Sequence, residues 1–531
     1  MLYSLQIKIY FKVIEMWNDG YYTDDTYMYG YFCELSPFFQ RFCLLANGID
    51  VPAPASREGG THCELGFGQG VSINVHAAAV PGRYMGTDFN PAHTAHALSL
   101  QRASGADAKL FDLSFAELLE RDDLPLFDSI SLHGVWTWIS RENQAAVLEF
   151  LRRQLAPGGV CYISYNSFPG WGPRYTLREL LALKDTYARS GHGTAERARD
   201  AIEFAQTALA AHPECAARFK ELLGALERLK EDDPHYVAHE FLNHDWNVMH
   251  FTEVAELMAE TKLSYACSAN LKDALDTLEN INMPESARNF LKSLPDPLMR
   301  EELRDYYIMR QFRTGLYVKG PRHLSPDEAA RRLLAQKYLL LQRDKPAKCI
   351  IVGYNQQVTV KSDLFDPIWD YLASDSFAPK DFLNYSAAHP ELDRTILATL
   401  LVALVSEKYI TPCQSSSVVE RAKPLCRALN AKICTDSLEG SRINWLACPI
   451  SGTAVQADRI TQMMLHYYWH GANVEDLPRS VWNAMKERRQ SLFVKGVVLS
   501  DEQTVLEELT LREELFRTKE LPLMQMLQIV D

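Results

Sequence analysis

THCELGFGQG, residues 61–70, reads as a buried strand that runs directly into a turn with three glycines, Gly66, Gly68 and Gly70. The apolar pattern after it predicts a helix near 70–79. Glycine has no Cβ, so the backbone at these positions can come close to a ligand. The free N–H groups at the start of the next helix also point into the turn. The stretch therefore predicts a turn whose backbone can bind a ligand, and together with the acidic residues Asp88 and Asp112 at the ends of the next two predicted strands it forms a nucleoside-binding layout.

Strands and helices alternate on the carboxyl side of this turn, as far as residue 166. Four more strands are predicted over 83–88, 108–113, 127–135 and 160–165, with helices near 92–104, 114–121 and 141–155 and a turn at Pro157-Gly158-Gly159. This alternation is typical of a mainly parallel sheet with helices on both faces. Right-handed crossovers then bring the loops that follow the strands to one edge of the sheet.

The composition limits the classes of protein that fit. The chain has 531 residues, of which 47% are hydrophobic and 23% charged, and a formal charge of -13. This charge argues against non-specific nucleic-acid binding, which needs a basic surface. Eleven cysteines without a CxxC pair favour reduced thiols and a cytoplasmic location. The longest apolar run, 396–405, is about half of what crosses a bilayer, so no membrane span is predicted.

The spacing of the glycines separates two kinds of nucleoside site. A dinucleotide turn has the pattern G-x-G-x-x-G and would need glycine where this chain has Val71. Here Glu64 precedes the three glycines, and Asp88 and Asp112 end the next two predicted strands. The pattern E-x-G-x-G-x-G resembles motif I of class I S-adenosylmethionine-dependent methyltransferases. The alternatives are a chance glycine turn in another α/β fold and, for each aspartate, a helix cap.

This resemblance implies an α/β Rossmann-like methyltransferase domain with a mainly parallel sheet of the seven-stranded type, followed by mostly α-helical domains, and S-adenosyl-L-methionine as cofactor. Glu64 would balance the ammonium of the methionine tail, Asp88 would accept the ribose hydroxyls, and Asp112 would meet the adenine. The cofactor-binding residues that it implies are Glu64, Gly66, Phe67, Gly68, Gly70, Asp88, Phe89, Asp112, Leu113, His133 and, from an N-terminal covering segment, Tyr27.

Two later stretches extend the resemblance through about residue 315. They are Tyr165-Asn166-Ser167-Phe168-Pro169-Gly170-Trp171 and His239-Glu240-Phe241-Leu242-Asn243. Both resemble features of bacterial methyltransferases that carry a methyltransferase regulatory domain, a group that includes the rickettsial lysine methyltransferases. The resemblance implies a protein lysine as methyl acceptor. A small-molecule or glycan acceptor, and a cofactor-binding module without turnover, stay open as alternatives, and a homodimer is possible.

Changes of pattern along the chain predict five segments. They are an N-terminal extension with cofactor-covering helices (1–56), the cofactor-binding methyltransferase domain (57–176), a helical regulatory or substrate-cleft domain (177–345), a small α+β or winged-helix-like domain with a hairpin at 346–362 (346–415), and a C-terminal helical domain (416–531). Residues 416–440 have weak periodicity and are interpreted as a linker.

Four residues in the loops after the fourth and fifth strands are the catalytic candidates. His133 could act as a base or be structural, and Trp136 could steady the sulfonium by cation–π attraction or pack in the core. Tyr165 and Asn166 end the fifth strand. The Asn166 side chain could accept a hydrogen bond from an acceptor amine, or it could stabilise the turn before Pro169.

Tyrosines in the N-terminal segment and histidines near residue 240 carry two weaker hypotheses. Tyr27 and Tyr31 would share one face of a helix, from which their hydroxyls could reach the cofactor tail, or they could form a packing stripe. His235 and His239 lie four residues apart, as zinc ligands on a helix can. The HExxH pattern is absent after His239, so no metal site is predicted.

Overall fold

The computed structural model describes residues 29–50, 59–188, 193–218, 220–276, 278, 281–440, 442–494, 496–499 and 501–531. Its centre is a seven-stranded sheet, whose strands are β1 (Thr61–Leu65), β2 (Arg83–Thr87), β3 (Ala108–Phe111), β4 (Phe127–Leu132), β5 (Leu155–Asn166), β6 (Ser264–Ser268) and β7 (Phe312–Val318).

The order of the strands across the sheet is β3-β2-β1-β4-β5-β7-β6. Strands β1 to β5 pair in parallel, and β7 runs antiparallel to both of its neighbours. The chain order reverses between β1 and β4, and ligands of open α/β sheets bind at such a reversal, beyond the carboxyl ends of the strands. The predicted α/β Rossmann-like fold with a mainly parallel seven-stranded sheet is confirmed.

Helices surround the sheet and build the rest of the chain. They are α1 (Pro37–Ala46), α2 (Val71–Ala79), α3 (Pro91–Ser104), α4 (Phe115–Leu119), α5 (Arg141–Gln154), α6 (Gly172–Tyr187), α7 (Thr194–Ala210), α8 (Pro213–Arg218), α9 (Lys220–Leu229), α10 (Pro234–Phe241), α11 (Phe251–Glu260), α12 (Glu285–Ser293), α13 (Pro297–Ile308), α14 (Pro326–Ala335), α15 (Ser362–Phe377), α16 (Leu383–Ala388), α17 (Arg394–Ser406), α18 (Ser416–Asp436), α19 (Arg459–Trp469), α20 (Leu477–Glu487), α21 (Glu502–Leu515) and α22 (Leu521–Met526).

Capping residues explain where the helices around the sheet begin. The Asn90 side chain accepts a hydrogen bond from the N–H of Ala92, and Pro91 takes the first helical position of α3. Ser114 and Glu117 form a reciprocal capping box at the start of α4. Because these signals are local, the boundaries of the helices that connect β1 to β5 lie close to those predicted.

Two strands of the sheet come from the segment 177–345, which is predicted to be mostly helical. Residues Phe312–Val318 pair antiparallel with Val160–Asn166, and Ser264–Ser268 pair with the outer edge of Phe312–Val318. The two strands that pair with Phe312–Val318 lie far from it in sequence, so local periodicity does not predict the pairing. The sheet therefore extends beyond the predicted boundary of the methyltransferase domain at residue 176.

The predicted turn at Pro157-Gly158-Gly159 is part of β5. The pairing of β4 with β5 changes register between Phe127 and Ser129, opposite this stretch. The N–H of Gly158 donates to the carbonyl of Lys319 at 2.8 Å, so the three residues are held against the chain that leaves β7.

The linker interpretation of residues 416–440 is wrong. Residues Ser416–Asp436 form α18, which packs against α2 and α3 of the sheet layer. Ala422 and Leu429 of α18 are fully buried in one core cluster with Val71 and Val75 of α2. The sequence pattern of α18 is weak because its buried stripe mixes aliphatic side chains with alanine, cysteine and asparagine.

Outside the central sheet, the described chain combines helices with short two-stranded ribbons. The hairpin predicted at 346–362 is confirmed, and the ribbons are Cys349–Val352 with Gln357–Val360, Tyr338–Leu340 with Ile410–Pro412, Trp445–Cys448 with Thr453–Gln456, Leu492–Val494 with Val497–Leu499, and Ile49–Asp50 with Arg322–His323. In the described ranges, no helix is long and apolar enough to cross a membrane. The division into five segments stays a prediction.

A buried group of charges ties α13 to β7 and to the turn after β6. Asp305 is 0% exposed, and its carboxylate accepts hydrogen bonds from the guanidinium groups of Arg310 and Arg313 at 2.6 to 2.9 Å. Asp273 accepts from Arg310 at 2.9 Å and from Arg304 at 3.3 Å. Each buried charge therefore has partners of the opposite sign, which offsets the cost of removing it from water.

Candidate active site

The glycine turn between β1 and α2 leaves no room for side chains at two of its positions. Gly66 and Gly70 have φ angles of +72° and +71°, in the left-handed region that favours glycine. A Cβ on Gly66 would lie 2.6 Å from a methyl group of Val135, and one on Gly70 would lie 2.2 Å from the Cβ of Ala97. The turn is therefore a close-packed backbone surface at the carboxyl edge of the sheet.

Asp88, the first residue after β2, anchors this turn. One carboxylate oxygen accepts from the N–H of Gly68 at 2.8 Å, and the other lies 3.0 Å from the N–H of Asn90 and 3.1 Å from Nδ1 of His93. A carboxylate offers about four acceptor positions. Three are used within the chain, so Asp88 has room for about one ribose hydroxyl and already holds the turn in shape.

Glu64 lies under the turn as a buried acid. Burial, with the charge of Asp88 nearby, raises the pKa of its carboxyl to about 8. Within the described part of the chain, no hydrogen-bond donor reaches this carboxylate. A buried acid in this state fits a positively charged partner, such as the ammonium of a methionine tail, because the cation would restore the ionised form. These residues fit the cofactor implied by the resemblance.

We expect binding of S-adenosylmethionine at pH 7 to release close to one proton from Glu64. The carboxyl is largely protonated before binding because its pKa is about 8, and the arriving ammonium favours the ionised form. Affinity should therefore rise as the pH is raised towards 8 and level off above it. Calorimetry in phosphate and in Tris measures the released proton, because the two buffers differ in ionisation heat.

The matched variant for this measurement is Glu64→Gln, which keeps the shape and cannot ionise. It should bind more weakly, with a heat that is the same in both buffers. A heat in the wild-type protein that does not depend on the buffer would show that Glu64 does not meet the cation.

The other predicted cofactor residues take different places around this edge. Asp112 is exposed directly after β3, and Leu113 beside it accepts a hydrogen bond at its carbonyl from the hydroxyl of Thr87. Phe89 is half-buried next to Asp88. Phe67 is 6% exposed and packs in a core cluster on the side of the sheet that α2 and α3 cover. Its side chain therefore stabilises the turn through core packing.

His133 follows β4 and is held as a neutral ring. Its Nδ1 lies 2.8 Å from the hydroxyl of Tyr162, and its ring stacks on Phe32 with centroids 3.7 Å apart. Burial lowers the pKa of His133 to about 3, so the ring is a very weak proton acceptor at neutral pH. This geometry favours the structural role over the role of base. Sequence reasoning missed Phe32, which no motif marks.

Trp136 and Tyr165 were catalytic candidates, and the structure places both in the core. They are 0% and 1% exposed and belong to one cluster with α5 and α11. A side chain that lines an open ligand site must keep some accessible surface when the ligand is absent. Trp136 donates its indole N–H to the sulfur of Met249 at 3.3 Å. These contacts favour the packing alternative for Trp136, and Tyr165 packs in the same cluster.

Asn166, the last residue of β5, keeps a polar contact at the rim. Its side-chain Nδ2 donates to Oε1 of Glu240 on α10 at 2.9 Å. Burial is the largest influence on Glu240 and raises the pKa of its carboxyl to about 7. Sequence reasoning singled out the stretch around Glu240 for its resemblance and weighed its histidines as metal ligands, but it assigned Glu240 itself no role. The contact joins two segments that local patterns cannot relate.

Of the two N-terminal tyrosines, the structure describes Tyr31. Tyr27 lies outside the described residues. Tyr31 lies in irregular backbone, its hydroxyl accepts from the N–H of Ala454 at 2.8 Å, and its ring is 5.1 Å from that of Trp445. For Tyr31 the packing alternative holds. Its neighbour Phe32 donates its N–H to the hydroxyl of Ser72 at 3.0 Å, so this segment does cross the rim of the sheet.

The histidines near residue 240 raise the question of a metal site. In the described ranges, no group of three or more His, Cys, Asp or Glu side chains could hold a metal ion. His250, one of the histidines near this region, instead lies with its Nδ1 2.7 Å from Oε1 of Glu302.

Comparison with known proteins agrees with this site. Residues 63–163 match the model of a methyltransferase domain, and residues 233–319 match that of a predicted methyltransferase regulatory domain. The sheet order, the glycine turn and the acids at its edge define the chain as a class I S-adenosylmethionine-dependent methyltransferase with a regulatory domain. More particularly, it belongs to the family of the uncharacterised protein sll1526 of Synechocystis, with 31% identity over 516 residues, which are 97% of this chain and 99% of that protein.

Two further relatives are more distant. RP789 of Rickettsia prowazekii is 26% identical over 283 residues, which are 53% of this chain and 49% of that protein. The structure of PKMT2 from Rickettsia typhi in complex with AdoHcy superposes with a TM-score of 0.66 at 18% identity, over 94% of this chain and 100% of that one. At this identity the superposition shows a shared fold that extends beyond the central sheet to the C-terminal elements.

Proposed function

We propose that this enzyme transfers the methyl group of S-adenosylmethionine to a lysine side chain of a protein. The observation that carries the cofactor part is Glu64, a buried acid under a close-packed glycine turn that no described donor reaches. The lysine acceptor has two supports: the resemblance of the Asn166 and Glu240 stretches to the rickettsial lysine methyltransferases, and the fold shared with PKMT2 over nearly the whole chain.

The residues of this chain would bind and orient the two reactants. Glu64 would balance the ammonium of the cofactor, Asp88 would hold both the turn and a ribose hydroxyl, and Phe32 with His133 would cover the rim. When bound, the cofactor supplies an electrophilic methyl group on a sulfonium. The enzyme then needs to align an acceptor lone pair with that carbon and to exclude water.

The test is methyl transfer with S-adenosylmethionine labelled in its methyl group, in a lysate of a cell type that carries the protein. We expect label in protein bands, and methylated lysine after digestion and mass spectrometry. Label only in small metabolites or glycans would contradict the lysine acceptor and favour the runner-up acceptors. Cofactor binding without a labelled product from any pool would favour a binding module.

Cofactor binding itself is tested by thermal unfolding. S-adenosylhomocysteine at 100 times its dissociation constant should stabilise the folded chain by about 2.7 kcal/mol. A thermal shift with NAD and none with S-adenosylhomocysteine would overturn the assignment.

A cytoplasmic location and a homodimer stay predictions. The location is supported by the cysteines, because those of the described residues are free and nearly all of them are buried.

A further inference from the structure

A carboxylate of the regulatory segment reaches the carboxyl end of β5. Glu240 lies 74 residues after Asn166 and accepts a hydrogen bond from its Nδ2 at 2.9 Å. The amide nitrogen of Asn166 is thereby directed at Glu240, which leaves the amide oxygen on the other branch of the same planar group. The pair therefore offers two kinds of acceptor, an amide oxygen and a carboxylate oxygen, to a third group that carries N–H donors.

The pair lies on the same edge of the sheet as the glycine turn. Strand β5 is two strands from β1, and strands are about 4.8 Å apart, so the two places are separated by about 10 Å along the rim. The loop after β4 lies between them. It is fixed to β5 by hydrogen bonds from the N–H of Gly134 to Ser164 at 2.9 Å and from the N–H of Asn166 to Thr137 at 2.9 Å.

Aromatic rings border the chain just after Asn166. The ring centroids of Phe168 and Tyr175 are 6.0 Å apart, and those of Tyr175 and Trp246 are 5.5 Å apart. Tyr175 is 42% exposed, so part of this surface faces solvent. Ring faces attract alkylammonium groups, and their apolar surface suits the methylene chain that carries such a group.

The pKa of the Glu240 carboxyl is suited to proton exchange with an amine. Burial raises the pKa of its carboxyl to about 7, although the hydrogen bond from Asn166 and the charge of Arg174 both lower it. A group with a pKa near neutrality can accept a proton and return it to water. His133, the other candidate at this rim, is a far weaker proton acceptor because its pKa is about 3.

We propose that Asn166 and Glu240 form the binding site for a primary alkyl amine of the acceptor, in which the Asn166 oxygen orients the nitrogen and Glu240 takes its proton. This inference rests on the proposed function, and it assigns to these two residues the selectivity for an acceptor that carries an ammonium group. The ammonium first passes a proton to the Glu240 carboxylate. The lone pair of the neutral amine then forms the bond to the methyl carbon, and the bond from that carbon to sulfur breaks with its electron pair left on sulfur. The proton on Glu240 goes to water.

The variant that tests this role is Glu240→Gln, which has the same shape and can still accept from Asn166. We expect unchanged S-adenosylhomocysteine affinity and an unchanged unfolding midpoint. The kcat for methyl transfer should fall by about 100-fold or more, the usual effect of removing a general base, and KM for the acceptor should rise because the cation loses its counter-charge. Glu240→Asp should restore part of kcat.

Glu302→Gln is the matched control, because Glu302 is also a partly buried carboxylate of the regulatory segment, and it accepts from the N–H of Thr252 at 3.0 Å. Its kcat and KM should equal those of the wild type. Wild-type kcat and KM in Glu240→Gln would overturn the inference while leaving the proposed function standing.

A binding measurement makes the test independent of turnover. The probe is N-acetyl-lysine methylamide, titrated by NMR into protein saturated with S-adenosylhomocysteine, and N-acetyl-norleucine methylamide is the comparator without the amine. We expect saturable binding of the lysine probe to the wild type and binding at least 10-fold weaker in Glu240→Gln. Equal behaviour of the two proteins, including no binding to either, would overturn the inference. Failure of the wild type to bind S-adenosylhomocysteine would instead count against the proposed function.

Discussion

Asp88→Ala should reduce the affinity for S-adenosylmethionine by at least about 100-fold. The substitution removes the acceptor that holds the N–H of Gly68 and the N–H of Asn90. It also removes the carboxylate that we propose as acceptor for a ribose hydroxyl. Leaving a buried donor without its acceptor costs about 1–3 kcal/mol, and 1.4 kcal/mol corresponds to a tenfold change in affinity. The loss at Gly68 in the glycine turn and the loss at Asn90 just after β2 together account for the expected effect. Calorimetric titration measures it.

The control for this variant is Asp128→Ala. Asp128 is a half-buried aspartate of β4 that accepts from the N–H of Thr61 at 2.9 Å, at the amino edge of the sheet. Its removal should lower stability and leave cofactor affinity unchanged, because the amino edge is the far end of the strands from the glycine turn. Asp88→Asn should give an intermediate affinity, since one oxygen can still accept from the turn. Wild-type affinity in Asp88→Ala would show that neither turn nor ribose depends on this acid.

Asp305→Ala should cause a large loss of stability, about 3–5 kcal/mol, the range for breaking a buried ion pair by removal of one partner. The carboxylate is 0% exposed and is shared by Arg310 and Arg313. Without it, two guanidinium groups are left in the interior with fewer counter-charges. Domains are stable by about 5–15 kcal/mol, so the variant would lose a large part of that margin. Thermal and urea unfolding measure the effect.

The location of Asp305 links the loss of stability to the carboxyl end of β5, where Asn166 lies. Its partner Arg313 lies in β7, next to Phe312, which pairs with Asn166 at the end of β5. We therefore expect methyl transfer to be impaired in Asp305→Ala at temperatures where the glycine turn still binds S-adenosylhomocysteine. The comparison variant is Glu149→Ala, which removes a surface acid with 27% side-chain exposure that pairs with Arg152 and Arg153. It should unfold close to the wild type, and an equal loss in both variants would contradict the role of burial.

Local signals were enough to predict the cofactor half of the molecule. The strands β1 to β5 appear as short apolar runs, and the helices between them begin at capping residues that lie next to them in sequence. Gly66, Gly68, Asp88 and Glu64 were assigned to one edge because the carboxyl ends of parallel strands meet there. This inference needs only chain order and the handedness of crossovers.

The region that we propose as the acceptor site could not be predicted in the same way. Trp136 and Tyr165 are apolar enough for a core and aromatic enough for a site, so only their burial separates the two roles. Glu240 reaches Asn166 across 74 residues, and a hydrogen bond between distant segments leaves no trace in periodicity.

The amino-acid sequence alone determines the parallel sheet and its glycine turn, because strand alternation, helix capping and glycine conformation depend on neighbouring residues. Tertiary packing decided that Phe312–Val318 enters the sheet beside β5, that Ser416–Asp436 covers α2 and α3, and that Glu240 faces Asn166. These three outcomes depend on which distant surfaces are buried together. Burial is a property of the folded chain as a whole and is not written in any short stretch of it.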